Sequence, residues 1–129
     1  MDILLGTHAV IWFITENANL PVASKEIISN PANRCFVSMA TYWEMGIKYS
    51  LDRLELKNSL ERIFEIIEES GFEILPITPE HVLLATQLIH YHRDPFDRMI
   101  IGQAKTEGLK IMTKDALFSN YGVDVIWEK

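Results

Sequence analysis

Asp94-Pro95-Phe96-Asp97-Arg98-Met99-Ile100-Ile101-Gly102-Gln103-Ala104, followed soon after by Ile111-Met112-Thr113-Lys114-Asp115, decides how the chain folds. Asp94 suits a helix N-cap and Pro95 the first helical position, so the first stretch predicts a helix from Pro95 to Glu107, closed by Gly108. Leu109 to Thr113 is apolar enough for a buried strand, which sets Asp115 just past a strand end. In a parallel α/β sheet, ligands bind outside the carboxyl ends of the strands. One acid at a helix start and another past a strand are placed to meet there.

Working outward, the same alternation runs along the whole chain. Ile3-Leu4-Leu5 reads as a buried strand, and Thr7 to about Thr15 as a helix with Ala9, Trp12 and Phe13 inward. A short helix is expected over Ala23 to Ser29, and Asn30-Pro31-Ala32-Asn33 is turn chemistry. Cys35 to Ser38 is a second strand, and the helix after it has Trp43, Ile47 and Leu51 on one face. Asn58 to Ser70 is the cleanest amphipathic helix, with Leu60, Ile63, Phe64 and Ile67 as its stripe and Gly71 at its end. Glu73 to Pro76 is a strand near an edge, because Pro76 cannot donate to a ladder. A helix from Pro79 to His90 is expected to turn Val82, Ala85, Leu88 and Ile89 inward. Ala116 to Asn120 is a helical turn, and Val123 to Ile126 the last strand. Strands alternating with helices imply a three-layer α/β/α sandwich with a central, mostly parallel sheet. Gly6, Ser38, Thr113 and Asp115 all fall at or just past strand ends.

The 129 residues predict one domain, 1–129, large enough for a real core. The lone Cys35 excludes an internal disulfide and suits a reducing cytoplasm. No stretch approaches the ~20 apolar residues of a membrane span, and an acid stands where a secretory leader would be basic. The net charge of −6 argues against a protein that coats nucleic acid by bulk charge. It does not argue against a metal-dependent nuclease, since a bound divalent ion inverts the local field.

Each acid has an ordinary structural role open to it. Asp97 can sit at N3 of a helix capped by Asp94, Glu44 can close a Thr41-x-x-Glu44 capping box or pair with Lys48, and Asp115 can cap the turn after it. Together they can do more. Hard divalent ions such as magnesium or manganese take carboxylate oxygens, and phosphodiester hydrolysis uses such ions to lower the pKa of water and to stabilise charge. His81, His90 and His92 match no zinc spacing, and His8 suits packing or capping at the first helix. The chain has no Gly-rich phosphate loop, dinucleotide fingerprint or nucleophile elbow. Trp12, Trp43 and Phe64 are expected in the core, and Glu65, Glu68 and Glu69 on a solvated helix face.

These residues, from Ile3 to Trp127, resemble a PIN domain of the VapC toxin type. Asp94-Pro95-Phe96-Asp97-Arg98 with Ile101-Gly102-Gln103-Ala104 is the most specific part. Thr7-His8-Ala9, Ser38 through Trp43-Glu44 with Ile47-Lys48, Thr113-Lys114-Asp115 and Tyr121-Gly122-Val123 support it. The resemblance implies a magnesium- or manganese-dependent endoribonuclease that cuts structured RNA, is held inactive by a VapB antitoxin and forms a homodimer. It implies an acidic quartet at the position of Gly6, Glu44, Asp97 and Asp115, with Asp94 as a fifth acid and Thr7 and Thr113 bonding within the site.

The chain departs from that pattern at one position. Family members read Leu-Asp-Thr-His where this chain has Leu5-Gly6-Thr7-His8. Asp2 lies at the opposite end of the same strand, about four residues of ~3.3 Å away, and cannot replace the missing acid. One base change separates the two codons, through decay of a toxin gene or selection against a lethal enzyme. The expectation is therefore a VapC-like ribonuclease impaired at Gly6. The alternatives are a catalytically dead module that still binds antitoxin or RNA, and another magnesium phosphoesterase acting on DNA or small phosphates.

Overall fold

The computed structural model describes residues 1–128. Five strands form one parallel sheet: β1 (Asp2–Leu5), β2 (Arg34–Ser38), β3 (Glu73–Leu75), β4 (Lys110–Met112) and β5 (Val125–Ile126), in the order β3-β2-β1-β4-β5. Six α-helices join them: α1 (Thr7–Ile14), α2 (Val22–Ser29), α3 (Met39–Ser50), α4 (Leu60–Glu69), α5 (Pro79–Gln87) and α6 (Pro95–Glu107). A 3₁₀ turn runs from Ala116 to Tyr121. The strand order reverses at β1, which pairs with β2 on one side and β4 on the other. That is the switch point where an open parallel sheet leaves a crevice at its carboxyl edge.

Successive side chains of a strand point to opposite faces, and that alternation builds three layers. Ile3, Leu5, Cys35, Val37 and Met112 point to one face and pack with Ala9 and Val10 of α1, Met45 of α3, and Ile63 and Ile67 of α4. Leu4, Phe36 and Ile111 point to the other face and meet Ile100, Ile101 and Ala104 of α6 with Phe118 and Tyr121. The three-layer parallel sandwich expected from the sequence is thus the observed one, and β3 lies at the edge as Pro76 required.

Two helix faces differ from expectation. Trp43 was expected in the core but is 64% exposed, and Leu51 is exposed too; α3 instead buries Thr41, Tyr42, Glu44 and Met45. The apolar spacing of Trp43, Ile47 and Leu51 was overridden by the pairing of Thr41 and Glu44 with Thr7. Helix α5 stops at Gln87, not at His90, and leaves Val82 and Ile89 exposed. Leu88 adopts an extended backbone, φ −65° and ψ 142°. The buried Arg98 guanidinium then donates to the carbonyls of Ala85, Leu88, Ile89 and His92 at 2.8–3.2 Å. The Ala85 and Leu88 carbonyls are orphan acceptors of the helix end, satisfied here by a side chain from the next helix, and the other two belong to the turn that follows.

Helix α6 has the expected bounds. Asp94 Oδ1 accepts the N–H groups of Phe96 and Asp97, and Gly108 ends the helix at φ +67°, a conformation that suits glycine. No helix of the described residues is long and apolar enough to cross a membrane.

Candidate metal centre

All the candidate positions but Glu44, which lies in the middle of α3, stand at element ends. Gly6 is the buried residue between β1 and α1, and Asp97 is in the first turn of α6. Asp115 is the N-cap of the 3₁₀ turn after β4, where its Oδ1 accepts the Leu117 N–H at 2.9 Å. The structural role open to Asp115 is therefore filled, and its Oδ2 is left to face the crevice. Gly6, Thr7, His8, Asp97, Thr113 and Asp115 line a pocket of about 100 Å³.

Asp97 and Asp115 come together around a histidine. His92 Nε2 lies 3.1 Å from Asp97 Oδ2 and 2.7 Å from Asp115 Oδ2. One ligating atom from each of the three side chains falls within 4.8 Å of the others. Glu44 stands beside this group, almost wholly buried in the third layer. Its Oε1 accepts from Thr7 Oγ1 at 2.7 Å, and its Oε2 holds Lys48 Nζ at 2.6 Å, one helical turn on. The Lys48 pairing expected for Glu44 is present, whereas the Thr41 capping box is not: Ser38 caps α3 by accepting the Ala40 N–H, and Thr41 lies inside the helix. Asp94 spends Oδ1 on the start of α6 and is not one of the three converging side chains. Thr113 Oγ1 accepts the Asp115 N–H at 3.1 Å and so shapes the loop that carries Asp115.

The acids act on each other. The Asp97 carboxyl is pushed up to about 7, first by burial, then by Asp94, Glu44 and Asp115, with His92 working the other way. A carboxyl held against ionisation by burial and like charges is the condition a divalent cation relieves. Two carboxylates and an imidazole form a donor set suited to manganese and other first-row divalent ions; the carboxylates alone suit magnesium. The residues present therefore fit a divalent ion.

Gly6 shows what the departure from the pattern means in space. Its backbone is extended, φ −67° and ψ 160°, which any residue adopts. Its N–H donates to the Met112 carbonyl at 2.9 Å, and a Cβ at this position would sit 3.0 Å from that same oxygen. The β1 and β4 ends are closed around a residue with no side chain.

His92 is the site residue that sequence reasoning passed over. His81 is a buried capping residue, with Nδ1 accepting the Thr78 N–H and Nε2 paired to Glu107 at 3.0 Å. His90 is exposed. His8 stacks on Trp12 at 5.5 Å between ring centroids and reaches the rim of the pocket. The available signal for His92 was its place two residues before the Asp94 cap, in the turn that leads into the helix bearing Asp97.

A larger groove, about 700 Å³, has none of Glu44, Asp97 and Asp115 in its lining; there Ile11, Phe13 and Ile14 of α1 face Leu56 and Ile63 and Ile66 of α4.

The family model for the PIN domain matches residues 3–124. Ribonuclease VapC22 of Mycobacterium tuberculosis is 26% identical over 118 residues, covering 88% of this chain and 86% of that protein. The crystal structure of VapBC2 from Rickettsia felis, bound to a DNA fragment from its promoter, superposes with a TM-score of 0.73 at 17% identity, over 99% of this chain and 100% of that one. FitAcB from Neisseria gonorrhoeae superposes with a TM-score of 0.68 at 24% identity, over 96% of each chain. At these identities the two solved structures speak for the fold.

Proposed function

The chain belongs to the PIN domain family, and from that premise we propose that it is a VapC-type toxin scaffold: an endoribonuclease of the cytoplasm, dependent on magnesium or manganese, weakened by Gly6. The observation that carries this reading is the convergence of Asp97 and Asp115 at the switch point of the sheet, with Glu44 buried beside them. Asp97 and Asp115 would hold the ion, and Glu44 would complete its surroundings. The ion supplies a water of lowered pKa and stabilises charge on phosphoryl oxygens.

The chain's own residues do the rest. Lys48 and Thr7 fix the Glu44 carboxylate from both sides, so it cannot swing away from the cluster. The pocket, about 100 Å³, admits an ion and its waters but not a nucleotide, so RNA would lie across its mouth. Lys114 and His8 stand at that mouth, where a cation and an imidazole suit a phosphate. The relatives whose names record an assembly support an antitoxin partner. The groove between α1 and α4 offers it an apolar seat, and a second copy of the chain would complete a homodimer.

The test compares the chain as it stands with Gly6→Asp in an RNA cleavage assay supplemented with magnesium or manganese. Restored cleavage and growth arrest on expression are expected from Gly6→Asp; equal activity of the two forms would defeat the claim that Gly6 impairs the site.

A second reading has its own observation. The Met112 carbonyl lies where a Cβ on residue 6 would press against it. A site closed around glycine suits a binding module that captures antitoxin or RNA without cutting. Co-purification of an antitoxin with no activity gained in Gly6→Asp would favour it.

A further inference from the structure

We propose that His92 is itself a ligand of the divalent ion, so that this chain binds through one nitrogen and two carboxylates and prefers manganese to magnesium. This deepens the reading above and rests on it. The argument starts from spacing. In an octahedral site with bonds of ~2.1 Å, neighbouring ligand atoms lie about 3.0 Å apart. His92 Nε2 stands 3.1 Å from Asp97 Oδ2 and 2.7 Å from Asp115 Oδ2, so the nitrogen already has the separation of an adjacent ligand from each carboxylate, and the two carboxylates lie within 4.8 Å of one another.

The ring is also held in place rather than loosely exposed. Its backbone N–H donates to Tyr121 Oη at 2.7 Å, and its carbonyl accepts from Arg98 Nη1 at 3.1 Å. Its edge meets the Phe118 ring at 5.6 Å and 89°. Its Nδ1 accepts the Asp94 N–H at 3.3 Å, so the ring proton sits on Nε2 and is shared with the acids. Ligation moves that proton to Nδ1 and gives up the Asp94 contact, which is at the long end for a hydrogen bond. The Nε2 bonds to Asp97 and Asp115 are given up as well, but those oxygens turn to the same ion, and the chain gains a metal–nitrogen bond where it has no acid at position 6.

Manganese, though the weakest binder of the first-row divalent series, accepts an imidazole nitrogen more readily than magnesium, which takes oxygen and keeps its waters. Nitrogen ligation therefore predicts selectivity. Loss of support one shell further out already costs ~10–100-fold in metal affinity, so His92→Ala is expected to weaken manganese binding at least 10-fold. Magnesium binding should fall less.

The experiment is a manganese titration of the full chain, followed by pulsed electron paramagnetic resonance of the bound ion. Nitrogen modulation from a coordinated imidazole is expected in the unsubstituted protein. It should survive His8→Ala, which removes the other imidazole at the pocket, and vanish in His92→Ala. Should His92→Ala fail to fold, ¹⁵N-labelled histidine in the unsubstituted chain gives the same answer through a changed modulation pattern. Bound manganese with no nitrogen modulation would overturn the role of His92 and leave the metal site standing. No manganese bound in the unsubstituted chain or in Gly6→Asp would overturn both.

Discussion

Asp97 is a largely buried acid with three other acids acting on it, and the cost of that setting depends on pH. The folded chain raises its carboxyl from 3.8 to about 7, so the folded state holds this proton more tightly than the unfolded state does. The stabilisation is complete below the unfolded value and is lost as pH rises through about 7. Urea midpoints measured in chelator should therefore fall between about pH 5 and about pH 8 in the unsubstituted chain. Asp97→Asn, which carries no such proton, should show a distinctly smaller fall; an equal fall would remove Asp97 as its source. Gly6 gives a second prediction at this scale. A side chain there must push the Met112 carbonyl back by a few tenths of an ångström, so Gly6→Ala should cost ~1 kcal/mol or somewhat more in thermal unfolding. Gly6→Asp should cost about as much without metal and regain stability on adding manganese, whereas Gly6→Ala should gain no more than the unsubstituted chain does. At the level of residues, Glu44, Asp97 and Asp115 were legible because each type and position has a chemical use. His92 was not, because its place depends on a turn whose shape is set by a residue from another element.

That residue is Arg98, and its effects belong to the elements it joins. Its four hydrogen bonds end α5 at Gln87 and fold the 88–92 turn back onto the start of α6. Arg98→Met would leave the Ala85, Leu88 and His92 carbonyls without the guanidinium and should destabilise the fold by roughly 2–4 kcal/mol. Arg98→Lys should recover part of this, and manganese affinity should drop in both, because His92 hangs from that turn. Helices α5 and α6 also meet at Gly102, where a Cβ would lie 3.1 Å from both the Ala85 Cβ and the His81 carbonyl oxygen. Gly102→Ala should cost about 1–3 kcal/mol in chemical unfolding. A neutral result would mean that the α5–α6 contact yields more readily than its spacing implies. The bounds of α6 could be read directly, since Asp94, Pro95 and Gly108 are local signals at its two ends. The buried face of α3 could not. Trp43, Ile47 and Leu51 keep helical spacing, but the face is chosen by Thr41 and Glu44 reaching Thr7 of another helix, a demand that periodicity does not contain.

Over the whole molecule, a chain of net charge −6 brings Asp97 and Asp115 together at the carboxyl edge of its sheet and forms a large apolar groove between α1 and α4. The groove proposed for a partner and the pocket proposed for an ion have different linings, so mutation can test the two separately. Ile66→Glu places a charge in the groove between α1 and α4; it should abolish capture of an antitoxin helix and leave manganese affinity within about twofold, since Ile66 lines the groove and not the pocket that holds Asp97 and Asp115. Loss of both properties together would mean that the groove and the site are one surface. The strand order adds a consequence in time. Strand β1 leaves the ribosome first but cannot complete its pairing until β4 arrives, more than a hundred residues later. Asp115 comes later still. A nascent or prematurely terminated chain can carry Glu44 and even Asp97, yet it lacks Asp115, the carboxylate that meets Asp97 around His92. Translation must be nearly finished before that pair can form, so on the reading proposed above incomplete products of this gene would lack the ion site.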